Sequence, residues 1–201
     1  MLDKPLDLAR YDPVWRQAEP YMRARKNDVH IPLSFGWAVR LLDDYPEADK
    51  DICLLAILLH DIGWYSIDME DIIEKGFSGP NMLQSDMRYL HETEGVRMGT
   101  DVLKATGWNA DTIAQVCEII DGHDTRPDPR HLNDRIVRDA DKLWRFDVTG
   151  IAVACDWFKL TPRDYAARLE IQKDELETET GRKYATQTLI ASRKALMLHL
   201  I

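Results

Sequence analysis

The sequence predicts an all-α fold, and three observations support this prediction. Residues 52–59 are apolar on every side, and their Leu and Ala content favours a central buried helix over a strand. Helix start and stop signals recur along the chain, such as Thr161-Pro162 at a start and Gly107 and Gly122 at stops. No segment shows convincing strand alternation, and the sequence contains no internal repeat and no low-complexity segment.

Three helices are predicted before the first irregular segment, over residues 13–25, 32–45 and 47–61. Pro13 and Pro32 each suit the first turn of a helix, so His30 is expected in the joint that precedes the second one. The stretch that follows, up to Tyr89, is less regular. It is predicted to contain a short helix over residues 68–75 and a loop over residues 77–81. Such a segment either covers a site or is a surface excursion without function.

The second half of the chain predicts a further series of helices. The sequence places them at residues 91–106, 110–121, 133–146 and 148–160, from Pro162 onward, and at residues 184–199. The charged stretch 173–183 is interpreted as a solvated helix end.

The composition indicates a single domain over residues 1–201, with 45% apolar residues and enough length for a substantial core. The formal net charge of −9 argues against binding of a nucleic acid polymer, which needs a basic surface. A phosphorylated substrate would need local positive charge from metal ions or from a few placed Arg or Lys. No signal core and no membrane-spanning run is visible, so we expect a cytoplasmic protein without a membrane partner. A homodimer is a possible assembly.

Most histidines lie at predicted helix edges. The chain has six of them, which are His30, His60, His91, His123, His131 and His199. His30 precedes a predicted helix, His60 closes one, His91 opens one and His123 follows one. Because helix ends in a bundle can converge on one point, these four are candidates for a shared site. His131 and His199 receive no role.

The pair His60-Asp61 is the centre of the predicted site. A carboxylate at the end of a buried helix is costly unless it is paired or binds a metal, and the negative end of the helix dipole suits a cation. Asp139 and Asp141, on a half-buried helix, similarly suggest a cation or a hydrogen-bond network. Each of these signals is weak by itself. The His-Asp dipeptide, for example, occurs a second time in this chain, as His123-Asp124 in a polar loop. A single histidine is also more often a hydrogen-bonded core or surface residue than a ligand.

The order of these residues changes the interpretation. It runs His30, His60-Asp61, His91, His123, Asp141, and it resembles the pattern of the HD-domain superfamily. Leu58-Leu59-His60-Asp61-Ile62-Gly63 is similar to the central motif of that superfamily. Ile136-Val137-Arg138-Asp139-Ala140-Asp141-Lys142-Leu143 is similar to its closing motif. The resemblance covers roughly residues 28–150, between an N-terminal helix and a C-terminal helical extension, and it implies an HD-type helical bundle.

The resemblance also implies a ligand set. His30, His60, Asp61 and Asp141 would bind one metal, and His91 and His123 a second one, with Asp61 bridging both. The ligand set implies one or two divalent transition metals as cofactors. The candidates are Mn, Fe, Co, Ni or Zn, because imidazole and carboxylate groups suit these ions. Thiolate is absent from the pattern, and the cysteines, which are Cys53, Cys117 and Cys155, are expected to be buried and reduced. The chain departs from the cyclic-dinucleotide phosphodiesterase branch, since Asp124 follows His123 where that branch has paired histidines.

The activity that the resemblance implies is hydrolysis of a small phosphoester, either a nucleotide or a phosphorylated metabolite, by a water that the metals activate. Asp61 is then a catalytic residue. Lys142 and Arg145, which can share a helix face, are candidate phosphate contacts, although both can also be surface charges. Asp139 is expected to orient a histidine from outside the ligand set. Trp64, Tyr65 and Tyr89 are candidates for lining a pocket, or for the core.

Three alternatives stay open. Members that resemble myo-inositol oxygenase use the same order of four histidines and two aspartates for mixed-valent di-iron oxygen activation. A metal-dependent lyase or hydratase is a second alternative. The third is a non-catalytic sensor module that uses the metal structurally.

Overall fold

Helices account for the regular structure of the computed structural model, which describes residues 7–68 and 86–198 and shows no strand in these two ranges. The prediction of an all-α fold is confirmed. The α-helices are α1 (Asp12–Ala18), α2 (Asn27–Asp44), α3 (Lys50–Leu59), α4 (Asp86–Ala105), α5 (Ala110–Ile120), α6 (Leu132–Leu143), α7 (Val148–Phe158), α8 (Pro162–Gln172) and α9 (Glu179–Ala195). Short 3-10 helices lie at Leu8–Tyr11, Glu19–Tyr21, Ala24–Lys26, Ile62–Ser66, Trp144–Phe146 and Lys173–Glu175. None of the described helices is long and apolar enough to cross a membrane.

The core is built around α3. Asp49 caps this helix by accepting a hydrogen bond from the main-chain nitrogen of Ile52, and every residue from 52 to 59 is buried. The helix packs against α2, α5 and α6. Full burial of each large apolar side chain stabilises the fold by about 1.5–3 kcal/mol. Because α3 is apolar on all sides, its carboxyl end lies inside the bundle, and His60 and Asp61 follow there.

The N-terminal region differs from its prediction. The predicted helix over residues 13–25 ends at Ala18, because Pro20 cannot donate a main-chain hydrogen bond, and short 3-10 turns replace the rest. Arg25 and Lys26 then adopt left-handed conformations, with φ of 51° and 59°. Such conformations are uncommon for residues other than glycine, and the sequence carries no signal for them.

Helices α2, α4 and α9 each begin five residues earlier than predicted, and for α2 and α4 this changes the position of a histidine. Helix α2 begins at Asn27, so His30 lies inside it and Pro32 lies in its second turn rather than at its start. Helix α4 begins at Asp86, five residues before His91. For α2, burial of Asn27 and His30 in the first turn outweighs the local signal at Pro32. The short helix and loop predicted at residues 68–81 lie mostly outside the described residues.

A close approach between main chains positions the turn after α3. A Cβ built on Gly63 would overlap the main-chain oxygen of His91 and the main-chain nitrogen of Gly95. Only glycine therefore lets the segment after Asp61 lie against α4. This contact places the end of α3 beside His91.

Asp139 does not orient a histidine, contrary to the expectation. It lies two residues from Asp141 on α6, so the two side chains point to nearly opposite faces of the helix. Its carboxylate accepts hydrogen bonds from the main-chain nitrogens of Glu177 (2.7 Å) and Thr178 (2.9 Å) and from the hydroxyl of Thr178 (2.6 Å). Thr178 in turn caps α9 by accepting from Gly181.

The charged stretch 173–183 is consequently not a simple solvated helix end, because Leu176 and Thr178 are buried. The cysteine expectation also needs correction. All three thiols are free, but only Cys53 is buried, while Cys117 and Cys155 are partly exposed.

We expect Asp139→Ala to lower the free energy of unfolding by about 3 kcal/mol, because two main-chain N–H groups and one hydroxyl lose their acceptor in a buried position. Urea denaturation followed by circular dichroism measures this change. Asp174→Ala is the matched control, since that aspartate is exposed and, among the described residues, pairs with Lys173. A loss for Asp139→Ala no larger than for the control would contradict the anchoring role.

Candidate metal centre

Five helices bring six buried ionisable residues to one point inside the bundle. The residues are His30 on α2, His60 and Asp61 at the end of α3, His91 on α4, His123 after α5, and Asp141 on α6. All six are at most 7% exposed, which is unusual for carboxylates unless they are paired or bind metal. The structure therefore brings together the residues that the sequence pattern selected.

One cluster joins His30, His60, Asp61 and Asp141. The two ring nitrogens of His30 contact the two carboxylates, with Nδ1 3.3 Å from Asp61 Oδ2 and Nε2 2.8 Å from Asp141 Oδ1. His60 Nε2 lies 3.3 Å from Asp141 Oδ1 and 3.8 Å from Asp61 Oδ2. Four potential ligands from three helices thus face one another.

A second cluster joins Asp61, His91 and His123. Asp61 Oδ1 lies 3.5 Å from His91 Nε2 and 3.6 Å from His123 Nε2, and these two nitrogens are 3.5 Å apart. In each of the triads His30–His60–Asp61 and Asp61–His91–His123, the potential ligand atoms lie within 4.8 Å of one another. Asp61 belongs to both triads, with Oδ2 toward one and Oδ1 toward the other.

Main-chain carbonyls orient three of the histidines. The Nδ1 atoms of His60, His91 and His123 lie 2.8, 3.3 and 2.9 Å from the carbonyl oxygens of residues 57, 87 and 120, respectively. Because a carbonyl oxygen can only accept, each Nδ1 carries the hydrogen and donates it. In the neutral ring the lone pair is then on Nε2, which points into the clusters, and this is the arrangement of a metal-binding histidine.

The electrostatics favour a cation. Burial raises the pKa of Asp61, but His60, His123 and His30 outweigh it and hold that pKa well below its usual range. The pKa of Asp141 is lowered in the same way, against burial, by His30, His60 and Arg145. Both carboxylates are therefore ionised inside the protein.

The histidines of the second cluster differ in charge. Burial lowers the pKa of His91 to about 3, so that its ring stays neutral near pH 7. Burial acts the same way on His123, but the hydrogen bond with Asp61 and the charge of that carboxylate outweigh it and raise the pKa to about 9. Binding of a metal at His123 Nε2 would displace a proton there.

The residues fit a transition metal. Among the residues that the structure describes, His60 Nε2 has no hydrogen-bond partner, although it is fully buried. A buried acceptor without a partner is costly, and a metal ion between His60, Asp61 and Asp141 would satisfy it. The donor set of imidazole nitrogen and carboxylate oxygen suits Mn, Fe, Co, Ni or Zn.

Contacts outside the two clusters, which the sequence analysis missed, hold the potential ligands in place. Asn27 donates from Nδ2 to the main-chain oxygen of Asp61 (2.9 Å). Glu92 accepts from the main-chain nitrogens of Asp124 and Thr125, each at 2.9 Å, and from the Thr125 hydroxyl at 2.6 Å. These bonds fix the loop that carries His123. The sequence signal for Glu92 was its position next to His91, in a helix where a buried carboxylate needs partners.

A cavity of about 440 Å³ opens onto the clusters. His30, Asp61, His123 and Asp141 line it, and so do six arginines and one lysine against five carboxylates. The basic side chains are Arg25, Arg88, Arg126, Arg138, Lys142, Arg145 and Arg168. In a protein of net charge −9, the lining of this cavity thus holds more basic side chains than carboxylates.

The predicted phosphate contacts lie in this cavity. Lys142 and Arg145 both line it, and Arg145 Nη2 is 3.7 Å from Asp141 Oδ2. Trp64 also lines it, whereas Tyr65 and Tyr89 are 52% and 60% exposed and do not.

Arg25 is a cavity residue that the sequence analysis missed. Its guanidinium lies over the ring of Trp64, 4.0 Å from the centroid, and burial lowers its pKa. The left-handed conformations of residues 25 and 26 place it there, and no local sequence signal indicates them. Of the two histidines outside the clusters, His131 caps α6, and His199 lies outside the described residues.

Comparison with known proteins agrees with this architecture. The family model described as "HD domain" matches residues 32–145. A crystal structure described as a predicted HD superfamily hydrolase from an uncultured Thermotogales bacterium is similar, with a TM-score of 0.61 and 19% sequence identity. The match covers 93% of this chain and 89% of that chain. No curated protein matches. At this identity the likeness of the two structures shows the fold alone.

We expect the protein, purified without added metal or chelator, to carry about two transition-metal ions per chain. Asp61→Ala should lose both ions, because it removes the shared carboxylate, and His91→Ala should retain about one. Elemental analysis measures the stoichiometry. His131→Ala, a histidine outside the clusters, is the control and should retain the wild-type content. Full metal content in Asp61→Ala would contradict the shared role.

Proposed function

Because this chain belongs to the HD domain family, we propose that it is a metal-dependent hydrolase, and more specifically that it cleaves a small phosphoester. His30, His60, Asp61 and Asp141 would hold one metal ion, and Asp61, His91 and His123 a second. When bound, such ions polarise a phosphoryl oxygen and supply a hydroxide nucleophile at neutral pH.

The observation that carries the proposal is the positive charge of the cavity beside the clusters. A net charge of −9 would repel an anionic substrate from most of the surface. The basic side chains that line the cavity therefore favour an anion as the molecule that binds there. Phosphate is an anion that guanidinium and ammonium groups bind well, through charge-assisted hydrogen bonds. The volume of about 440 Å³ suits a small molecule and not a nucleic acid polymer.

Lys142 and Arg145 are the side chains best placed to bind the phosphate. Both lie near the end of α6, directly after Asp141, and both line the cavity. The ion pair of Arg145 with Asp141 orients the guanidinium, whose remaining N–H groups can donate to a phosphoryl oxygen. The charge that develops on the phosphoryl group would thus face two cations of the protein.

The walls of the cavity would select the substrate. The cavity lining also includes Tyr165, Arg168 and Gln172 of α8 and Glu175 and Glu177 after it, which all follow the family-matched residues 32–145 in the chain. Tyr165 is buried, and burial raises the pKa of its hydroxyl, so that it stays protonated and can donate a hydrogen bond. This wall therefore combines hydrogen-bond donors with carboxylate acceptors.

The proposal is tested with apoprotein loaded separately with manganese, cobalt or iron under anaerobic conditions. Release of inorganic phosphate is measured from p-nitrophenyl phosphate, bis(p-nitrophenyl) phosphate and a panel of nucleotides and sugar phosphates. A phosphohydrolase should turn over at least one ester without dioxygen and with more than one metal. Turnover only with iron and dioxygen would favour the oxygenase, and loss of folding on chelation without any turnover would favour the sensor module.

We expect Lys142→Ala and Arg145→Ala to lower kcat/KM for the active ester about tenfold to a hundredfold, since each removes a hydrogen bond to a charged group. Steady-state kinetics measure this, with metal content checked by elemental analysis. Lys159→Ala is the control, because that lysine is exposed and does not line the cavity. Unchanged kinetics in both variants would remove these residues from the phosphate site.

A further inference from the structure

Trp64 makes contacts to the second cluster that no ligand pattern includes. It lies in the 3-10 helix directly after Asp61 and is 4% exposed. Its indole Nε1 donates a hydrogen bond of 3.0 Å to Asp61 Oδ1. That oxygen is the one that faces His91 and His123, whereas Oδ2 faces His30. The indole therefore contacts the shared carboxylate on the side of the second cluster.

The ring of Trp64 makes a second contact to the same cluster. It stacks on the imidazole of His91, with centroids 4.3 Å apart and planes within 13°. Arg25 lies over the ring of Trp64 as well, 4.0 Å from its centroid. One buried side chain thus orients two of the three potential ligands Asp61, His91 and His123.

The first cluster has different supports. His30 stacks on Trp144, with centroids 4.7 Å apart, and Arg145 pairs with Asp141. In the part of the chain that the structure describes, no hydrogen bond or ring contact joins Trp64 to His30, His60 or Asp141. Of the first cluster, Trp64 therefore contacts the shared Asp61, through Oδ1, while Trp144 supports His30.

We propose that Trp64 is a positioning residue that sets the affinity of the second metal site, at Asp61, His91 and His123, without affecting the first. A carboxylate oxygen has two lone pairs. The indole N–H occupies one of them on Asp61 Oδ1 and directs the other toward His91 and His123. The stacked ring fixes the plane of His91. Partners of this kind are worth about tenfold to a hundredfold in metal affinity. This inference rests on the metal binding in the proposed function, but not on the reaction.

The test is a metal titration of the apoprotein that does not depend on turnover. Trp64→Phe removes the N–H and keeps a ring for His91 and Arg25. We expect its second Mn²⁺ dissociation constant to rise about tenfold, with the first unchanged, in equilibrium dialysis with elemental analysis. The exchange-coupled signal of a manganese pair in electron paramagnetic resonance should weaken at the same metal concentration. Trp108→Phe is the control, since that partly buried tryptophan contacts Arg10 and Tyr11.

A double variant separates positioning from a general loss of structure. In the His91→Ala background, where only the first site remains, Trp64→Phe should have no further effect on Mn²⁺ affinity. Equal weakening of both sites, an unchanged second site, or an effect that persists in the His91→Ala background would each overturn the inference. A single metal in the wild type would overturn it too, while leaving a hydrolase with one metal intact. No metal in any variant would also remove the proposed function.

Discussion

The burial of two ionised carboxylates is the constraint on which the rest of this structure depends. Asp61 and Asp141 lie inside a bundle whose central helix is apolar on all sides, where an uncompensated charge would cost several kcal/mol. His30 on α2, His60 at the end of α3, His123 after α5 and Arg145 provide the compensation, while His91 on α4 stays neutral beside them. Each of these helices must therefore end at the same point or pass beside it. The packing of the bundle thus also fixes the positions of the ionisable residues at its centre.

Hydrogen bonds and ring contacts from the surrounding helices hold the residues of this centre in position. Carbonyls of the helices orient His60, His91 and His123, and the side chains of Asn27 and Trp64 hold Asp61. Arg25 packs on Trp64 at the cavity. Its position depends on left-handed main-chain conformations at residues 25 and 26, which cost about 1–3 kcal/mol each. Such strain persists only where the surroundings stabilise it, and here it places a cation at the cavity.

Helix α6 connects the candidate metal centre to the C-terminal region. Asp141 points into the centre, while Asp139, on the other face of the same helix, binds the residues that lead into α9. The segment between α8 and α9 lines the cavity, so the two aspartates connect the candidate metal centre to one wall of that cavity.

The sequence by itself determined the all-α class, most helix ends with clear caps, and the six residues of the two clusters. The apolar helix that ends in His60-Asp61 indicates a buried charge that must be compensated, and the resemblance of the residue order to the HD-domain superfamily then implied which residues join it. Only the tertiary structure decided that His30 and His91 lie inside helices, that Asp139 anchors the tail, that Arg25 belongs to the site, and that Trp64 contacts Asp61 and His91. These features depend on contacts between segments distant in the chain and on left-handed main-chain conformations, and neither leaves a local pattern in the sequence.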